Sequence, residues 1–120
     1  DSKDDLLMHA VRQLTSSQTT RVNEYESQYS GLKALEHLLC DDAIVNEASR
    51  DHWMVWLTFQ YKVALDGAFE ALHAELVRGW LARIKGLLGE AREAGEVSES
   101  IDVDKESMAV WAYSVGVGQL

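Results

Sequence analysis

A chain of 120 residues that is 47% hydrophobic and 26% charged is long enough for one core and too short for two comfortable ones, so it is expected to form a single domain. It has no proline, against about six at average usage, and Ala, Leu and Glu dominate it without β-branched runs, a composition that favours an all-α fold and excludes sandwiches and barrels. With 11 basic and 20 acidic side chains and a formal charge of -9, the average surface repels a polyanion, so this segment by itself is not expected to bind nucleic acid.

Ser2 followed by Asp5 forms a capping-box-like start, with a short oxygen for the first orphan N–H groups and acids at the positive end of the helix dipole. A helix is therefore predicted at once, through Leu6, Leu7, Ala10, Val11 and Leu14 at helical spacing. Its continuation is polar from Ser16 to Asn23, ahead of Tyr25 and Tyr29, and this far half is expected to be the more exposed. Ser30-Gly31 interrupts, and Leu32, Leu35, Leu38 and Leu39 predict a short helix ending near Cys40 at the turn-like Asp41-Asp42.

From about Ser49 to Asp66 apolar residues occupy nearly the whole circumference, including Trp53, Met54, Val55, Trp56, Leu57, Phe59, Tyr61, Val63 and Leu65. A helix apolar all round is expected at the centre, buried on several sides. Gly67 marks its end. The next helix carries a clear stripe through Phe69, Leu72, Leu76, Trp80, Ile84, Leu87 and Ala91, and Gly95 stops it as a left-handed C-cap. Glu96 to Asp104 reads as an acidic loop, with Asp104 placed to cap a last apolar helix through Met108, Ala109, Trp111, Ala112, Val115 and Gly116. The pattern is a bundle of about five helices. The apolar terminal helix calls for cover, from further sequence or from a partner subunit.

The most apolar stretch, Met108 to Val117, is shorter than the roughly 20 residues a bilayer span needs, and no membrane partner is expected. A single cysteine, Cys40, permits no internal disulfide, which agrees with a cytoplasmic location. The acids Asp41 and Asp42 beside it disfavour a thiolate, so Cys40 is expected to be a small core residue. Glu70 and His73 form a Glu-x-x-His pair of the kind used in carboxylate-bridged di-iron sites, but His9, His37 and His52 lack the second pair, so no metal is expected. Gly116-Val117-Gly118 follows a helical stretch rather than a strand and forms no dinucleotide fingerprint. Neither a cofactor nor a catalytic function is expected.

The positive signal is aromatic. Trp53, Trp56 and Gln60 fall on one face of the third helix, and Trp80 lies on the inward stripe of the fourth. Large aromatics either fill a core or line a cavity, and Gln60, an amide in an apolar face, needs a partner that is either a ligand or another side chain. With His73 at the edge of the stripe, and with Tyr113 brought inward by Ala109, Ala112 and Gly116, these residues form a candidate pocket for a small apolar or cationic molecule.

The opening Asp1-Ser2-Lys3-Asp4-Asp5-Leu6-Leu7 resembles the junction of TetR-family transcriptional regulators, where Ser-Lys, acids and leucines lead from the helix-turn-helix into a long linking helix. Glu90-Ala91-Arg92-Glu93-Ala94-Gly95-Glu96-Val97, then Asp102-Val103-Asp104, Ala109 and Gly116 resemble that family's late signature. Trp53 to Leu57 and Leu76 to Leu81 are similar to its BetI-like branch, although Lys105 stands where proline is usual and Val115-Gly116-Val117 where Asp-Gly-Leu is usual.

The resemblance implies that residues 1–120 are a ligand-binding and dimerisation domain, with a DNA-binding helix-turn-helix ahead of Asp1 and a final helix after Leu120. Operator DNA would be a partner only through that upstream segment, where Lys3 matches a phosphate-contacting lysine. The chain would then be an effector sensor, expected in a repressor, whose ligand alters operator affinity. A homodimer through the last helix would set Trp111, Val115, Gly118 and Gln119 against their counterparts. The rival expectation is a helical protein–protein interaction module with no small-molecule site.

Overall fold

Five helices and one 3-10 turn account for the secondary structure of the described residues, 2–41 and 47–118 of the computed structural model, and no strand is present among them. The first helix, α1 (Ser2–Glu26), is 25 residues long and runs unbroken through the polar stretch. It contains neither Gly nor Pro, and its polar side chains bond within the helix: Thr20 Oγ1 donates to the Ser16 carbonyl at 3.1 Å, and Arg21 Nη1 to Ser17 Oγ at 3.0 Å. Val11 and Val22 are both fully buried and sit three turns apart on one face. The far half of α1 is therefore anchored by Val22, whereas Leu6, expected inside, is 69% exposed.

Gly31, at φ +57°, opens α2 (Gly31–Asp41), which buries Ala34, Leu35 and Leu38. Cys40 is exposed rather than a core residue, because two residues beyond Leu38 is the opposite side of a helix. The Asp42 of the expected turn lies outside the described residues.

The third helix, α3 (Glu47–Leu65), is not the buried centre that its composition suggests. Among its described side chains Phe59 alone is fully buried, while Met54, Tyr61 and Leu65 are well exposed. A 3-10 turn, Gly67–Phe69, follows, and Asp66 caps it by accepting the Ala68 N–H at 3.0 Å. The central element is α4 (Glu70–Glu93), which packs against α2, α5, α3 and the 3-10 turn and buries Leu72, Ile84, Leu87, Leu88 and Ala91 along its stripe. It ends at Gly95 as expected. With φ +76° there, the Glu96 N–H returns to the Ala91 carbonyl at 2.8 Å and the Gly95 N–H to Arg92 at 3.1 Å, the two bonds of a Schellman motif.

The last helix, α5 (Val103–Gly118), is capped by Asp102, whose carboxylate accepts the Lys105 N–H at 3.2 Å. Asp104, the expected cap, lies inside the first turn and pairs with Lys85 at 3.2 Å. An N-cap oxygen reaches the N–H three residues on, and Asp102 is the acid at that offset from Lys105.

The apolar side chains form two clusters. One joins Val22, Ala34, Leu35, Leu38, Ile84, Leu87 and Leu88, with Tyr25, Trp80, Val103, Val110 and Trp111 packed around it. The other joins Val11, Phe59, Phe69 and Leu72, with Leu7, Met8, Val55, Trp56, Val63 and Leu76 around it. Helices α1 and α4 run through both, and α1 is tied to α3 by the Lys62–Asp4 ion pair at 3.2 Å. The result is an elongated bundle, 50 × 28 × 25 Å.

Candidate functional site

The aromatic residues singled out in α3 and α4 divide between the two clusters. Trp56 stacks on His73 of α4, with ring centroids 5.9 Å apart and planes at 27°. Phe59, one turn further along α3, lies 5.5 Å from Trp56 and 5.9 Å from His73, and meets Phe69 edge-on at 6.0 Å. This geometry follows from local sequence. Asp66 and Gly67 turn the chain back within a few residues, so that α4 starts beside the end of α3 and His73 falls opposite Trp56. Trp53 and Gln60 are half-buried on the same face of α3 as Trp56.

Trp80 belongs elsewhere. It packs against the Val22–Leu88 cluster, about 10 Å along α4 from His73 at 1.5 Å of rise per residue. The Arg83 guanidinium sits 5.9 Å from its ring centroid, so a cation from within the chain already lies over the ring that was expected to receive a ligand's. Arg83 also bonds the Glu26 carboxylate and donates to Asn23 Oδ1 at 3.3 Å, fixing α4 to the end of α1.

Tyr113 does not approach the Trp56 site. It is 76% exposed on α5, and the inward face of α5 is the opposite of the one expected. Ser107 is fully buried, and Val103, Val110 and Trp111 pack against the α2–α4 cluster. Met108, Ala109, Ala112, Tyr113 and Gly116 face solvent. Trp111, expected at a subunit interface, is therefore a packing residue of the bundle, and Val115 is half-buried at its flank. Gly118 is the last residue of α5, and Gln119 lies outside the described residues. Lys3 is exposed in the first turn of α1.

Two features of α2 escaped the sequence. Its first N–H groups, of Gly31 and Leu32, are bonded by the carboxylates of Glu90 and Glu96, each at 3.1 Å, so the helix is capped from α4 and from the residues beyond it. His37 of α2 stacks on Tyr29 of the α1–α2 connection at 4.5 Å and 13°, and on Tyr25 at 5.6 Å and 27°. The recurrence of Tyr25, Tyr29 and His37 at four and eight residues was the only available signal for the second.

A groove of about 400 Å³ lies between the end of α1 and α4, lined by Glu26, Gly79, Ala82, Arg83, Gly86, Leu87 and Glu90. None of the expected ligand residues lines it. Among the described residues no cluster of three or more His, Cys, Asp or Glu side chains is arranged to hold a metal ion, and His73, of the Glu70–His73 pair, stacks on Trp56. No described helix is long and apolar enough to cross a membrane. In comparison with known proteins, no family model matches this chain and no curated protein matches it.

Proposed function

We propose that this chain is the effector-sensing and dimerisation region of a cytoplasmic TetR-like transcriptional regulator, a repressor whose operator binding changes when a small apolar or cationic molecule reaches the α3–α4 aromatic site. Trp56 and His73 are the ligand-contacting pair, with Trp53 and Gln60 on the same face. Trp80 and Tyr113 are dropped from that set, since one is packed in the other cluster and the other faces solvent. In this reading operator DNA is bound by a helix-turn-helix linked ahead of α1, and Lys3 adds a phosphate contact. The acidic balance of the chain agrees with leaving DNA recognition to another segment.

The observation that carries the reading is the outer face of α5. An apolar surface of Met108, Ala109, Ala112, Tyr113 and Gly116, opposite the face docked on α4, suits a self-complementary two-fold contact, with small residues allowing close approach. Sedimentation velocity at micromolar concentration is expected to show a dimer, and Tyr113→Glu is expected to give a folded monomer. A wild-type monomer would overturn the dimerisation half of the proposal. For the effector half, hydrophobic amines, quaternary ammonium compounds and neutral lipophiles are screened by thermal shift and tryptophan fluorescence. Stabilisation by one class, weakened in Trp56→Ala, is the expected result.

A second reading, a helical interaction module without a small-molecule site, is favoured by a different observation. Phe59, fully buried with Phe69 edge-on to it, lies against both Trp56 and His73, so ring surface that a ligand would cover is already covered from within. A dimer that no tested compound stabilises supports this second reading over the first.

A further inference from the structure

We draw no further inference here: the strongest candidate, the glycine-floored groove between the end of α1 and α4 beside Gly79 and Gly86, is a stripe of small residues whose flanking charges, Glu26, Arg83 and Glu90, already have partners within the chain, and nothing in the structure shows what covers it.

Discussion

The two apolar clusters use the same pair of long helices and close to different degrees. Around Ile84, Leu87 and Leu88 three other helices build the wall: α1 contributes Val22, α2 contributes Ala34, Leu35 and Leu38, and α5 packs Val110 and Trp111 against them. Around Phe59 the wall is thinner. Val11, Phe69 and Leu72 are buried with it, but α3 has α1 and α4 on one flank and leaves Met54, Tyr61 and Leu65 open on the other. Burial, not composition, supplies the stabilising free energy, so α3 holds less than its apolar content suggests. The exposed ring of Tyr61 contributes little to folding, whereas Phe59, two positions away, anchors the helix.

The largest test of that contrast is Phe59→Ala. Removing a fully buried phenylalanine costs about 3–5 kcal/mol, and the loss is expected to fall first on the thinner cluster. Native-state hydrogen exchange of the variant should show α3 amides losing protection before those of α2 and the second half of α4. Equal loss in all helices would mean that the two clusters behave as one cooperative unit.

Gly31→Ala strikes the other cluster at its entrance. The position has φ +57°, and a Cβ there overlaps the Glu96 carboxylate that caps α2. Left-handed backbone costs a non-glycine residue about 1–2 kcal/mol. The urea midpoint is expected to fall accordingly, with exchange increasing first at the start of α2.

The caps of α5 give a smaller and more discriminating pair. Asp102→Ala removes the carboxylate that accepts the Lys105 N–H and is expected to cost about 1 kcal/mol in chemical denaturation. Asp104→Ala, which breaks the exposed pair with Lys85 and removes one first-turn acid, should lower the midpoint by less than Asp102→Ala does. If the order reverses, α5 is capped by Asp104 after all.

The last expected effect has the opposite sign. Ser107 of α5 is fully buried, and its hydroxyl has no hydrogen-bond partner among the described residues. A buried hydroxyl without a partner forfeits the hydrogen bonds it made to water, and alanine also has the higher helix propensity. Ser107→Ala is expected to stabilise the protein by about 1 kcal/mol, read as a rise of a few degrees in Tm. A lower Tm would show that the hydroxyl is satisfied in solution.

Most of the fold follows from local signals. The span of α4 and its inward stripe were readable because Glu70, Glu75, Arg78, Arg83 and Glu90 oppose it, and that opposition selects one face, although Arg83 and Glu90 bond Glu26 and Gly31 instead of standing free in solvent. The stop at Gly95 was readable because a Schellman turn needs the conformation that only glycine adopts cheaply. The candidate site was readable in part. Trp53, Trp56 and Gln60 share a face for reasons of helical spacing alone, but His73 meets Trp56 while Trp80 does not, since a separation of seven residues along α4 carries the second ring into another cluster.

What the sequence by itself determined is therefore the existence, order and approximate ends of the helices, together with the inward face of the one helix whose polar and apolar sides are cleanly opposed. Tertiary structure decided the rest. Helices α3 and α5 are apolar on more than one side, so periodicity chooses no inward face, and the neighbours available to each determine that Phe59 is buried while Tyr61 is not, and that Trp111 packs inward while Tyr113 does not. The capping of α2 by Glu90 and Glu96 was decided in the same way, because those carboxylates reach Gly31 and Leu32 across separations of 59 and 64 residues, and no local pattern encodes a bond that exists only once α2 has packed on α4.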